Sequence, residues 1–131
     1  MSYFTNFQDT LFSTAELSKG EKEKIDIFLQ LLEDSGVGEI ICEETQRNKS
    51  LGGRNSYNPY RLFATIIYAF SKHSGSLRKI EESLKFDLRF MYINNQETPS
   101  YVTLSKFLNN VVVKYYEIIF SKITLAIINK Y

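Results

Sequence analysis

Along most of this chain the apolar residues recur at helical spacing. In SKGEKEKIDIFLQLLEDSG, Ile25, Phe28, Leu29 and Leu32 fall at i, i+3, i+4 and i+7, which puts them on one face of a helix. Ser18, with Glu21 three residues later, forms a capping box, and Gly36 supplies the stop. VGEIICEET fits either a short helix or a short extended piece. QRNKSLGGRNSY is a polar, glycine-bearing connector. Beyond it Asn58 is a good N-cap and Pro59 suits the first helical position, where a missing N–H costs nothing. Leu62, Phe63, Ile66, Ile67 and Phe70 then make a broad apolar stripe that should end near His73 to Gly75. Ser76 caps LRKIEESL, where Leu77, Ile80 and Leu84 face inward; DLRFMYI reads as a short third helix or a turn. Thr98 and Pro99 repeat the cap-plus-proline start and open a last helix expected to run almost to Tyr131. No period-two alternation is long enough for a sheet. The expected fold is all-α: a helical bundle with a helix-turn-helix-like core and a long C-terminal helix.

On a last helix starting at Pro99, Tyr101, Leu104, Leu108, Val111, Tyr115 and Ile118 form an apolar seam, and Thr103, Lys106, Asn110 and Lys114 lie on or near the other side. VVVKYYEIIFSKITLAIINKY is apolar almost all round, so it must be covered by something. Lys114, Glu117 and Lys122 interrupt it and argue against a membrane span. It is expected to pack on the first helix, on a further domain, or on a second copy, the last making the protein a homo-oligomer.

Composition narrows the class. The 131 residues are 44% hydrophobic and 24% charged, the profile of one globular domain with a core. A formal net charge of +1 hides an asymmetry: residues 1–50 carry five Lys and Arg against ten acids, and residues 51–131 carry eleven against five. The chain is an acidic N-terminal helical segment followed by a basic region from residue 51, the two expected to pack as one compact domain. A basic half is the electrostatic footprint of a nucleic-acid binder. Cys42 is the single cysteine and His73 the single histidine, so no catalytic triad suggests itself and Cys42 is expected to be a small buried hydrophobe in a cytoplasmic protein. The opening MSYFTNFQDTLF has no basic n-region and no long apolar run, and is not read as a secretion signal. Arg54 and Arg61 flank the Asn-Pro step and could clamp phosphates, as could Arg78, Lys79 and Arg89 from the following helices. Arg78 also has Glu81 and Glu82 within helical reach. Ser100 marks a helix N-terminus, where backbone amides favour an anion.

Three stretches resemble a known family. GRNSYNPYRL (Gly53, Arg54, Tyr57, Pro59, Leu62), SLRKIEESLKFDLRFMY (Ser76, Arg78, Lys79, Ile80, Glu81, Leu84, Asp87, Phe90) and TPSYVTLSKF (Pro99, Thr103, Leu104, Ser105, Phe107) look like the N-terminal domain of DDE-type insertion-sequence transposases, in order and spacing, over about residues 53 to 108. The resemblance implies a helical domain that recognises the terminal inverted repeats of a mobile element as double-stranded DNA and helps the transposase dimerise. The departures lie where DNA would be read: the family's Asp-His after the proline is Ser100-Tyr101, and two of its arginines are Lys106 and Leu108. Lysine holds a phosphate but reads guanine poorly. Transposition needs three carboxylates holding two metal ions. The basic half offers only Glu81, Glu82, Asp87, Glu97 and Glu117, expected on helices or turns, and the N-terminal acids are expected mainly on a solvated helix face. No nuclease activity, metal or cofactor is therefore expected. Two functions from different classes follow: a DNA-binding domain, or a transposase-derived protein-interaction module acting as an inhibitor or regulator by binding a partner protein.

Overall fold

Gly36 divides the N-terminal helical stretch in two. It stands at φ +81°, a left-handed conformation that side chains with a Cβ resist, between α1 (Lys19–Ser35) and α2 (Val37–Lys49). In the structure, a computed structural model, the described residues are 3–4, 19–49, 58–72, 76–94 and 97–130. They go on through α3 (Pro59–Ser71), α4 (Leu77–Phe86), α5 (Leu88–Ile93), α6 (Tyr101–Phe107), a π-helical segment (Leu108–Val112) and α7 (Tyr116–Lys130). The fold is all-α, and among the described residues there is no strand. VGEIICEET is helix, and so is the stretch after Asp87. Ser18, Arg54 and most of the polar connector lie outside the described residues.

Local chemistry sets the helix ends. The Asn58 side chain accepts from the Tyr60 and Arg61 amides at 2.9 and 3.3 Å, with Pro59 in the first turn, as its sequence requires. Asp87 serves two helices: its amide donates to Ser83 at 2.7 Å to close α4, and its carboxylate accepts from the Arg89 amide at 2.9 Å to open α5. Ser76 takes the N-cap position of α4 but makes no side-chain capping bond. The start expected at Thr98 and Pro99 is displaced, because the hydroxyl that accepts a free helix-end amide is that of Ser100, bonded to the Thr103 N–H at 3.3 Å. Pro99 lies before the helix.

One cluster of buried residues draws on both halves of the chain, from Phe4, Ile25, Leu29 and Leu32 through Leu62, Phe63 and Ile66 to Ile80, Leu84, Leu104 and Ile119. Within the stripe predicted for α3, Ile67 is half-buried and Phe70 exposed. Tyr3 packs directly over Gly38, where a Cβ would collide with its ring. Cys42 is half-buried rather than fully so, and its thiol bonds the Tyr60 hydroxyl, whose pKa is raised by burial and then by that contact.

The last helix is not continuous. At the π-helical segment the Val113 amide bonds the Leu108 carbonyl at 2.8 Å, five residues back, so one extra residue enters the turn. One residue is about 100° of rotation. Val111 and Val112 are consequently both buried, and the seam passes to Ile119, 0% exposed, whereas Ile118 is 51% exposed. α7 packs on α1 and α2. Leu125, Ile127 and Ile128 of α7 remain exposed.

Several acids of the N-terminal half prove to be structural rather than solvated. Glu33 accepts from the Tyr3 and Phe4 amides at 2.7 and 3.0 Å. Asp26 accepts from the Tyr92 hydroxyl at 2.8 Å and pairs with Lys22 at 3.1 Å. Glu44, 4% exposed, receives Lys114 at 3.0 Å and the Tyr115 hydroxyl at 2.7 Å. The bonds of Asp26 to Tyr92 and of Glu44 to Lys114 and Tyr115 tie the acidic front of the chain to its basic back.

Candidate nucleic-acid interface

α6 is set in the fold by Leu104, which is fully buried, and by Phe107 and Leu108, which pack on the core from its edge. With those side chains inward, a rotation of about 100° per residue gathers Val102, Thr103, Lys106, Asn109 and Asn110 into an arc of about 120°. Val102, Lys106, Asn109 and Asn110 are exposed and Thr103 half-buried. At one end of this face the Ser100 and Thr103 hydroxyls lie 3.3 Å apart; along it Asn109 donates to the Ser105 hydroxyl at 3.4 Å. Ser100, Thr103, Lys106 and Asn110, all candidates from the sequence, therefore stand together. The Ser100 hydroxyl is already engaged as the cap of a helix of seven residues, so its contribution is to shape the turn.

Arg78 reaches this face from α4, which packs against α6. It is exposed, and its guanidinium carbon lies 4.2 Å from the centroid of the Tyr101 ring. That is the geometry of a cation–π stack. Among the described residues Arg78 takes this contact and not the alternative one, an ion pair with Glu81 or Glu82. Tyr101 was read from the sequence as a member of the seam and as a departure from the resembling family's motif; its use as the platform for Arg78 depends on a contact between residues 23 apart, which no local pattern announces.

The remaining candidates are elsewhere. Arg61 is 7% exposed and donates to the Ile93 carbonyl at 3.0 Å, so it braces α3 against the end of α5 instead of facing a phosphate. Burial pushes its pKa down, opposed by nearby Glu97. Lys114 is turned back onto the buried Glu44 and is a joint within the fold. Lys79 and Arg89 line a shallow groove with Glu21, Glu82, Phe86 and Asp87. There Arg89 grips Asp87 through two side-chain bonds of 3.1 and 2.8 Å. Burial would raise the pKa of Asp87, but the bonds from Arg89 outweigh it and the net shift is down; the same bonds hold Arg89 above its ordinary value. Arg54 is outside the described residues. The Arg89 groove carries charges of both signs, whereas the outer face led by Val102, Thr103, Lys106, Asn109 and Asn110 contains a cation and two amides, with Arg78 beside it.

Among the described residues, no three His, Cys, Asp or Glu side chains are grouped so that they could hold a metal ion, and no helix is long and apolar enough to cross a membrane. Neither a curated protein nor a solved structure matches the chain. A family match does exist, to the transposase domain (DUF772) over residues 15–110. It takes in α1 through the start of the π-helical segment, and with it α4, α6 and the face they build. Spanning well over half of the sequence, it shows that the chain belongs to this transposase-domain family.

Proposed function

We propose that this chain is a DNA-binding region of a transposase, recognising the terminal inverted repeats of a mobile element as duplex DNA. The carrying observation is the solvent-facing side of α6, where Thr103, Lys106 and Asn110 stand together with Arg78 at the rim. In this reading α4 to α6 act as a helix-turn-helix-like unit and α6 enters the major groove, whose donors and acceptors distinguish all four base pairs. Lys106 holds a phosphate, and Thr103 and Asn110 face the bases. Arg61 is left out of the contact set because it is buried on the Ile93 carbonyl, and Lys114, although exposed, because its ammonium is paired with Glu44.

The test is fluorescence anisotropy with inverted-repeat and scrambled duplexes across a salt series. Affinity should fall steeply with salt, with a log-log slope of about −0.9 per phosphate neutralised. Lys106→Ala should weaken binding to both duplexes and make the slope shallower by about one unit. A folded chain that binds neither duplex at low salt contradicts the proposal. That outcome would favour the second reading, a protein-interaction module, which rests on the exposed Ile118, Leu125, Ile127 and Ile128 of α7.

A further inference from the structure

Lys106 and Leu108 replace two arginines of the resembling transposases, which removes both guanidinium forks from α6 itself. Leu108 packs on the core from a half-buried position, so no base reader could occupy its place without leaving the core. The guanidinium that stands at this face belongs instead to another element, α4. We propose that Arg78 of α4, stacked on Tyr101, is that reader and the specificity-determining residue of this domain. The inference rests on the DNA-binding reading above and adds to it the residue and the base.

The physical argument starts from the stack. A guanidinium is planar, and its five N–H donors lie in the plane. Stacking one face on an aromatic ring fixes that plane while leaving the edge free to make two parallel hydrogen bonds, the geometry that fits O6 and N7 of guanine. The Arg78 guanidinium carbon lies over the Tyr101 ring, 4.2 Å from its centroid, a position compatible with such a stack, and among the described residues it makes no hydrogen bond or ion pair. Its nearest helical acids, Glu81 and Glu82, do not draw it away. The stack also lowers the entropy lost on binding, because a long side chain is already held in one orientation. Tyr101 is the first residue of α6, so the fork stands at the end of the face that carries Thr103 and Lys106. Arg89, in its separate groove, is held by Asp87 through two bonds and is not similarly free.

The experiment selects bound sequences from a randomised duplex pool with the whole chain and four forms: wild type, Arg78→Lys, Tyr101→Phe and Tyr101→Leu, each checked for helical content by circular dichroism. Wild type should enrich guanine at one or more positions. Arg78→Lys keeps the charge but has neither fork nor plane, and should lower the guanine preference at one position about tenfold while other positions and the salt slope stay unchanged. Tyr101→Phe keeps the stack and should retain the preference, whereas Tyr101→Leu should lose part of it. If Tyr101→Leu fails to fold, the Arg78→Lys comparison decides alone. A pool enriched without guanine, or an Arg78→Lys form with undiminished guanine preference, overturns the assignment of Arg78 and leaves DNA binding standing. Wild type that retains no duplex at low salt overturns both.

Discussion

Thr65 carries a hydroxyl into the buried face of α3, and among the described residues nothing bonds to it. A buried hydroxyl without a partner keeps the cost of leaving water and gains no hydrogen bond in return. Thr65→Val, which exchanges that hydroxyl for a methyl of similar size, should therefore raise stability by about 1 kcal/mol, or about 4 °C in Tm, measured by thermal unfolding. A lower Tm would show that the hydroxyl has a partner after all. Arg61 shows the opposite case, a buried polar group that is satisfied, by the Ile93 carbonyl. The sequence offered Arg61 as a phosphate clamp because it flanks the Asn-Pro step. Its burial depends on α5, 32 residues away, and no local spacing contains that information. Arg78 was legible as a candidate for DNA, but its fixed orientation was not, since the tyrosine that holds it arrives from α6.

At the scale of elements, caps and apolar stripes located the middle of α1, α3, α4 and α6, whereas α2 and α5 were left open between helix and other structure. Asn58 and Pro59, Gly36 and the Ile80 and Leu84 pair act as their chemistry requires. The end of the chain was harder, because a π-helical turn needs no glycine or proline to mark it. Leu108–Val112 contains the polar pair Asn109 and Asn110 and otherwise continues an apolar helix, so the seam could be projected straight through it to Ile118. The inserted residue moves burial to Ile119. Urea unfolding of two truncations separates the registers: Ile119→Ala should cost about 3 kcal/mol by leaving a cavity, and Ile118→Ala about 0.5 kcal/mol or less. Equal effects, or a larger one at Ile118, would restore the uninterrupted seam.

The whole molecule joins an acidic front to a basic back through particular bonds, chiefly Glu44 with Lys114 and Tyr115, and Asp26 with Tyr92. The charge asymmetry was visible in the sequence; that acids of the front would serve as internal joints was not, because helical periodicity places a residue on a face without saying what faces it. α7 packs on α1 and α2 yet leaves Ile118, Leu125, Ile127 and Ile128 exposed. Of these, Ile118, Leu125 and Ile128 fall on one side of α7, and such a face on a small domain predicts concentration-dependent self-association, which sedimentation should detect and which Leu125→Glu combined with Ile128→Glu should abolish without loss of helix, since both residues are on the surface. A wild-type chain that stays monomeric at high concentration removes self-association from the account and leaves the DNA proposal untouched.

The central claim is that the outer side of α6, with Arg78 beside it, is the surface that meets duplex DNA. Titrating an isotopically labelled chain with an inverted-repeat duplex and following amide and arginine side-chain NMR signals tests it residue by residue. The signals of Val102, Thr103, Lys106, Asn109, Asn110 and the Arg78 side chain should shift together, while those of Arg61 and of α7 stay near their free positions. Shifts confined to α7 or to the acidic α1, or no shifts from a folded chain at low salt, would contradict it.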